Sequence, residues 1–260
     1  MSAANPLITF DNVELAYGSN RILSGLSLGV GRGEIVCVVG PSGCGKTTAL
    51  RIAGGLVVPT GGKVRFEGAP VAGPRRDVAI VFQDYAKALL PWRTAAGNIS
   101  LALEAMRVPA AERQERIAAL LARVGLAHHA DTYPSEMSGG MQQRLQIARC
   151  LAQDPVALLM DEPFGALDAM TRQTLQDEML AIARATGVTI FFVTHDLEEA
   201  IYVGDRVIGL LPRPGRVGID LAVDLPRTRD QVSTREMPEF LDLRRRLYGF
   251  IMAAEQAGHA

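Results

Sequence analysis

Short apolar runs that end in glycine or polar residues recur along the chain. A continuous run such as residues 34–40 is typical of a buried parallel strand, whereas residues 7–15 alternate in places like an edge strand. Helical segments separate most of the later runs, which predicts an α/β core built on a mostly parallel sheet. The predicted strands lie at residues 7–15, 34–40, 63–66, 78–82, 156–160, 188–193 and 206–211.

The pattern changes between about residues 97 and 153. Segments 101–106, 111–126 and 141–152 read as amphipathic helices with no convincing strand among them, which predicts a helical subdomain inserted in the α/β core. Near the end of the chain, apolar residues recur at helical spacing and predict a packing helix. These residues are Phe240, Leu243, Leu247, Phe250 and Ile251.

Composition narrows the function classes. The net charge is −1, from 27 basic and 28 acidic residues, so no global field favours nucleic acid. Only three of the basic residues are lysines, at positions 46, 63 and 87. Three cysteines without framework spacing fit a reducing cytosol, and no disulfide is expected. The first ten residues lack the features of a secretion signal, and the longest apolar runs are far shorter than the roughly 18 residues of a spanning helix.

GPSGCGKT, residues 40–47, directly follows an apolar strand, which is the context of a Walker A phosphate loop. Its glycines allow a tight turn whose N–H groups surround a β-phosphate, Lys46 reaches the β and γ oxygens, and the Thr47 hydroxyl is suited to Mg²⁺. The alternative is a glycine turn that merely caps a helix, and the scarcity of lysine weighs against it. The predicted phosphate-binding set is Gly40, Pro41, Ser42, Gly43, Cys44, Gly45, Lys46, Thr47 and Thr48.

Polar residues at the ends of other apolar runs complete a nucleotide site. Because successive strand side chains point in opposite directions, Asp161 is predicted to hold the metal's hydration shell and Glu162 to act as general base. A solvated turn is the alternative for this pair. His195 is predicted to donate to a γ-phosphate oxygen, and Gln83 to meet Mg²⁺ or the attacking water. For these two, capping or packing is the alternative.

Two further features fall outside these strand ends. Tyr17, upstream of the phosphate loop, is suited to stack on adenine, and a core tyrosine is the alternative. Ser138, Gly139 and Gly140 lie between a proline turn and a helix, where backbone N–H groups are open to an anion. Since the chain already has one phosphate loop, this second turn needs another explanation.

Taken in order, Tyr17, GPSGCGKT, Gln83, MSGGM, LLMDEP, GALD and His195 resemble the ATP-binding subunit of ATP-binding cassette (ABC) transporters, from Phe10 to about Leu211. The resemblance implies a single ABC ATPase domain over 1–260, with ATP and Mg²⁺ as cofactors. Within this domain, the resemblance implies a P-loop NTPase (RecA-like) core at about 1–88 and 156–225 with an N-terminal antiparallel β portion. It also implies a helical subdomain at about 89–155 and a C-terminal helix at about 236–254.

The resemblance also explains the second turn. In this family two cassettes pair head to tail, so Ser138-Gly139-Gly140 of one copy would cap the γ-phosphate on the Walker A loop of the other. Asp168 would make the usual contact across the dimer. The segment MSGGM, residues 137–141, is the family's signature sequence, and it departs from the common form at two positions. Met137 replaces a common Leu, and Met141 replaces a common Gln, which puts a polar role at position 141 in doubt.

A narrower resemblance lies in ALLPWRTAAGNI (88–99), MSGGMQQR and HDLEEAIYVGDRV (195–207). These segments are similar to the importer ATPases for nitrate, aliphatic sulfonates and taurine. The likeness implies two transmembrane permease subunits, an extracytoplasmic binding protein acting indirectly, no nucleic acid, and a peripheral position on the cytoplasmic face of the inner membrane. Trp92 falls where the family receives its membrane partner, and an ordinary buried tryptophan is the alternative. An exporter head and a soluble cassette acting on nucleic acid or the ribosome are the other classes considered.

Overall fold

The computed structural model describes residues 6–259, which divide into two compact units. The first unit comprises the described residues of Met1–Arg75 and Gly187–Ala260, and the second is Arg76–Thr186. The strands are β1 (Ile8–Tyr17), β2 (Asn20–Val30), β3 (Ile35–Val39), β4 (Gly61–Phe66), β5 (Ala69–Pro70), β6 (Val78–Val81), β7 (Ala157–Asp161), β8 (Thr189–Val193), β9 (Arg206–Leu211) and β10 (Arg216–Ala222). The helices are α1 (Lys46–Ala53), α2 (Tyr85–Ala88), α3 (Ala95–Ala105), α4 (Ala110–Arg123), α5 (Gly139–Leu151), α6 (Ala169–Thr186), α7 (Leu197–Val203), α8 (Ser233–Glu236) and α9 (Pro238–His259).

Each apolar run predicted as a strand forms one, with ends that differ by a residue or two. The sequence pattern did not mark β2, β10 or the two-residue strand β5. Serine and glycine interrupt the apolar residues of β2, and every second residue of β10 is exposed, so neither strand forms a continuous apolar run. Pairing with neighbouring strands is what holds them in extended form.

The first unit contains an antiparallel sheet in the order β2-β1-β4-β5. Strand β1 pairs with β2 from Ile8 opposite Val30, and with β4 from Ile8 opposite Phe66. The same unit holds parallel strands, because β3 pairs with both β8 and β9, while β10 adds antiparallel to β9. All residues of β3 and β8 are buried, as expected for central parallel strands.

The C-terminal helix α9 packs on the first unit as its apolar spacing predicts. Phe240 and Leu247 are fully buried, and Leu243 is 6% exposed. The ring of Phe250 lies against the backbone of β9 and β10, where a Cβ on Gly209 would come within 2.5 Å of it and one on Gly218 within 2.6 Å. Glycine at these two positions therefore lets the helix approach the sheet.

The second unit contains the predicted helices α3, α4 and α5, the long helix α6 and the parallel pair of β6 and β7. Buried Asn98 of α3 holds the loop before its helix: its side-chain oxygen accepts from Leu90 N at 2.9 Å, and its amide nitrogen donates to the carbonyls of Leu90, Arg93 and Thr94. The segment around Trp92 is thus fixed on α3. Over residues 6–259, none of the helices combines the length and the apolarity that crossing a lipid bilayer requires.

Candidate nucleotide-binding site

The loop between β3 and α1 has the backbone of a phosphate loop. Gly40, Gly43 and Gly45 have φ values of 154°, 77° and 95°, conformations that favour glycine. Lys46 opens α1 and is 7% exposed, and its Nζ donates to the carbonyl oxygens of Gly40 at 2.7 Å and Pro41 at 3.1 Å. The loop therefore holds its own cation beside its backbone, as binding of a polyphosphate requires.

Inside the protein, the phosphate loop packs through Cys44 and against Gly215. A Cβ on Gly40 would lie 2.8 Å from the Cys44 sulfur, and one on Gly215 would lie 2.1 Å from the Cys44 carbonyl oxygen. Burial raises the pKa of the Cys44 thiol, so the side chain is a neutral packing group. Gly215 belongs to the β9–β10 turn and also pairs with β2, donating to Ile22 O at 2.8 Å. Sequence reasoning missed Gly215, since one glycine among 26 carries no signal.

The first unit also carries Tyr17 and His195. Tyr17 ends β1 and is 62% exposed, which rules out the alternative of a core tyrosine. His195 follows β8 and is exposed. The next residue, Asp196, caps α7 by accepting from the backbone N–H groups of Glu198 and Glu199, each at 3.0 Å. The histidine is thus held between a buried strand and a capped helix, and its γ-phosphate role stays a prediction.

In the second unit, Asp161, Glu162 and Gln83 lie at the carboxyl ends of the parallel strands β6 and β7. Asp161 ends β7 and is 6% exposed, whereas Glu162 is half-buried and accepts from the Gln83 amide nitrogen at 3.0 Å. The predicted reason for their different roles, strand alternation, was wrong. Glu162 has φ of 45°, so it leaves the strand in the left-handed region and its direction is set by the turn. Strained backbone of this kind is frequent at functional sites.

The signature turn, defined here as Ser138, Gly139 and Gly140, forms the start of α5. Ser138 is exposed and caps the helix, its hydroxyl accepting from Met141 N at 3.3 Å. Gln142 donates to the carbonyls of Pro134 at 2.9 Å and Met137 at 3.1 Å, so the amide next to Met141 ties the helix to the preceding turn. The turn is intact despite the methionine at position 141.

Asp168 is exposed and directly precedes α6. Its carboxylate accepts from Thr171 N at 3.1 Å, and hydrogen bonds from the Thr171 side chain and backbone lower the pKa of Asp168. The carboxylate is therefore an exposed anion at neutral pH, and its contact across a dimer stays a prediction.

The donor set fits the cofactors that the sequence predicts. Thr47, Gln83 and Asp161 offer hydroxyl, amide and carboxylate oxygens, the ligand types that Mg²⁺ prefers. Gly40–Thr47 offers glycine backbone and one ammonium group, which suit phosphate oxygens.

A groove of about 410 Å³ opens in the second unit. Its lining includes Phe82 and Leu101, which are 43% and 36% exposed, together with Arg76 and Arg149. Burial lowers the pKa of Arg149, and neither arginine forms an ion pair with any described residue. Sequence reasoning did not single out these arginines, because 24 of the basic residues are arginine. Trp92 is 72% exposed, so it is not the ordinary buried tryptophan that was the alternative.

Comparison with known proteins agrees with this set of elements. The family model described as ABC transporter matches residues 23–165. The chain is 44% identical over 252 residues to the taurine import ATP-binding protein TauB of Chromobacterium violaceum, covering 95% of this chain and 96% of that protein. It is 47% identical over 230 residues to the aliphatic sulfonates import ATP-binding protein SsuB 2 of Burkholderia cenocepacia, covering 88% and 82%.

A solved structure shares the fold. It is a dimeric ATP-binding cassette in a post-hydrolysis state bound to ADP and phosphate, with a TM-score of 0.73 and 32% identity over 83% of this chain and 98% of that one. The fold and the site define an α/β P-loop NTPase of the cassette type. The chain belongs to the ABC transporter family and is an ABC-type ATPase that binds ATP. The predicted resemblance to taurine and sulfonate import ATPases is confirmed.

Proposed function

We propose that this chain is the ATP-hydrolysing subunit that energises import of a small anion, such as a sulfonate, taurine or nitrate, through two partner transmembrane permease subunits. It would lie peripherally on the cytoplasmic face of the inner membrane and receive substrate indirectly from an extracytoplasmic binding protein. The observation that carries the proposal is the Gln83–Glu162 hydrogen bond of 3.0 Å, because it holds a carboxylate beside the segment that leads to the exposed groove.

The chemistry is assigned to this chain's own residues. Lys46 and the backbone of Gly40–Thr47 bind the β- and γ-phosphates, and Tyr17 stacks on adenine. Glu162 takes the proton of the attacking water, Gln83 orients that carboxylate and His195 donates to the γ-phosphate. Thr47, Gln83 and Asp161 would hold Mg²⁺, which when bound supplies Lewis-acid stabilisation of the phosphate charge.

A head-to-tail dimer would complete each site. The signature turn of one copy offers the N-terminus of α5 to the γ-phosphate held by its partner, because helix N-terminal N–H groups carry partial positive charge. Asp168, anionic and exposed, would contact the partner copy. ATP then favours the closed dimer through contacts made only in that state.

The lining of the groove favours a membrane protein as the binding partner. Its exposed apolar side chains suit a helical segment of a permease, and the half-buried Arg149 and exposed Arg76 have no carboxylate partner in the described part of the chain. A permease segment that carries an acidic residue would supply the missing anion.

Two variants test the catalytic assignment. Glu162→Gln should keep ATP binding, lose nearly all hydrolysis and accumulate an ATP-dependent dimer visible by analytical ultracentrifugation. Glu112→Gln, which alters an exposed carboxylate of α4 that pairs with Arg116, is the matched control and should behave like the parent. Parent-like turnover by Glu162→Gln would remove Glu162 as the base.

Mixing two inactive variants tests the shared site. Lys46→Ala disables the phosphate loop, and Ser138→Arg blocks the signature turn. A mixed dimer keeps one intact site, so hydrolysis should recover on mixing. Activity equal to the sum of the separate variants would refute the head-to-tail site.

The transport assignment is tested by purifying the tagged chain from native membranes in mild detergent. Co-purification of a polytopic membrane protein, reduced in Arg149→Met, is the expected result. Recovery with nucleic acid or ribosomal proteins instead would overturn it.

A further inference from the structure

Tyr85 lies against Gly139 of the signature turn, a contact that the sequence analysis did not predict. A Cβ placed on Gly139 would lie 2.5 Å from the Tyr85 phenolic oxygen and 3.3 Å from its Cζ atom. The phenol therefore covers the Gly139 backbone directly. Its hydroxyl forms no hydrogen bond with the side chains and backbone that the structure describes, so the contact is one of packing. A side chain at position 139 would therefore have to displace the Tyr85 phenol from this turn.

Tyr85 begins α2, two residues after Gln83. Asp84 caps this short helix by accepting from Lys87 N at 3.1 Å, and its carboxylate pairs with the Lys87 ammonium at 2.8 Å. The ring is thus presented by a capped turn that continues directly from the proposed catalytic glutamine. Any displacement of that turn moves the group that covers Gly139.

Helix α5 contacts the same stretch, residues 80–85, at two further points. With its amide oriented to satisfy both groups, buried Gln146 donates to Phe82 O at 3.2 Å and accepts from Phe82 N at 2.8 Å. One turn further on, the Cys150 thiol donates to Ile80 O at 3.4 Å. Positions 139, 146 and 150 fall on one helix face and span about 16 Å at 1.5 Å per residue.

This helix face connects the groove with the signature turn. Phe82, Arg149 and Cys150 line the groove, and α5 begins at the turn. A segment seated in the groove therefore touches Phe82, whose backbone is joined to α5 and whose chain continues to Tyr85. The contacts therefore run from the groove through Phe82 and Tyr85 to Gly139.

We propose that Tyr85 is a positioning residue for the signature turn: its phenolic oxygen, packed on Gly139, sets the pose of that turn from residues 80–85 and so from whatever occupies the groove. The proposal rests on the proposed function, because the turn must act on a nucleotide for its pose to matter. It assigns to Tyr85 a role distinct from that of Gln83, which acts on Glu162 within the same unit.

A double-mutant cycle tests the contact. Gly139→Ala should lower kcat by about tenfold or more in the parent but by only about twofold in a Tyr85→Phe background, where the oxygen is absent and the nearest atom is 3.3 Å away. The same rescue is expected for the unfolding midpoint and for ATP-dependent dimerisation measured with Glu162→Gln added. Each effect compares the alanine and glycine variants at position 139 with the same residue at position 85. Any effect of Tyr85→Phe by itself therefore cancels.

The adjacent glycine supplies a matched control. A Cβ on Gly140 would lie 2.6 Å from Thr171 Cγ2 and has no contact with Tyr85, so Gly140→Ala should be equally harmful in both backgrounds. Rescue of Gly139→Ala but not of Gly140→Ala supports the proposal.

Three results separate the two proposals. If Gly139→Ala is equally harmful with Tyr or Phe at position 85, while Glu162→Gln still traps a dimer, the Tyr85 proposal is wrong and the proposed function stands. If the midpoint is rescued but kcat and dimerisation are not, Tyr85 is only a packing residue, which also overturns the positioning role. If Glu162→Gln turns over ATP like the parent while the cycle shows rescue, the catalytic assignment fails and the Tyr85 contact stands.

Discussion

Gly215→Ala would place a methyl group against the underside of the phosphate loop. The Cβ would lie 2.1 Å from the Cys44 carbonyl oxygen, 2.9 Å from Leu23 Cδ2 and 3.1 Å from Ile22 O. Two of these three atoms belong to the backbone, so rotation of a side chain cannot relieve the overlap. The backbone of Gly215 has no positive φ, so the substitution adds a steric clash without backbone strain.

The size of the effect follows from this overlap. The Cys44 carbonyl would have to retreat by about 1 Å to reach ordinary contact distance. Overpacking of a buried site costs about 1–3 kcal/mol, and in a chain of this length each kcal/mol lowers the unfolding midpoint by about 2–4 °C. Because the displaced carbonyl lies directly before Gly45 and Lys46, ATP affinity should fall together with stability.

The assay combines thermal unfolding with titration of a fluorescent ATP analogue. Gly218→Ala is the matched control in the same hairpin, because its Cβ would meet the Phe250 ring at 2.6 Å and Leu211 Cγ at 2.7 Å, and its three nearest atoms lie outside the phosphate loop. We expect Gly218→Ala to lower stability without changing nucleotide affinity. Unchanged ATP affinity in Gly215→Ala, or an equal loss of ATP affinity in both variants, would refute the idea that the β9–β10 turn positions the phosphate loop.

Three further outcomes follow from single groups. Arg149→Met should raise the unfolding midpoint of the isolated chain, because an apolar side chain replaces an incompletely solvated cation. Permease-stimulated hydrolysis should fall in the same variant. Asp168→Ala should lower the unfolding midpoint at neutral pH, because hydrogen bonds from Thr171 hold the pKa of Asp168 below its ordinary 3.8. The stability that the carboxylate contributes is complete above pH 3.8 and is lost as the pH falls through the lower pKa of the folded state. The midpoints of the parent and of Asp168→Ala should therefore converge in acid. Phe240→Ala, at a fully buried position of α9, should cost about 3–5 kcal/mol in urea unfolding but leave turnover per folded molecule unchanged; a milder loss would mean that α9 contributes little to the core.

The phosphate loop illustrates what can be predicted from a short stretch of sequence. Its conformation depends on neighbours in the chain: a strand that ends in Gly40, glycines with positive φ, and Lys46 at the start of a helix. The same holds for the signature turn, where Ser138 caps the helix that it begins. Local backbone preferences and hydrogen bonds are sufficient in both cases.

Glu162 shows where local reasoning ended. Its separation from Asp161 was predicted from strand alternation, but β7 ends at Asp161 and the glutamate turns into the left-handed region. The hydrogen bond from Gln83, 79 residues earlier, marks its place. A contact over that sequence distance depends on which strands become neighbours, and the apolar pattern alone does not specify it.

The sequence by itself determined that this chain is a cassette ATPase, because the motifs that resemble the ABC family are short stretches whose conformation is local. It also determined which apolar runs become strands and which become amphipathic helices. Only the tertiary structure decided that Tyr85 covers Gly139, that Gly215 seats Cys44, and that Arg149 lines a groove without a carboxylate partner among residues 6–259. These contacts join residues far apart in the chain, and they follow from close packing of side chains and backbone, which no single segment encodes.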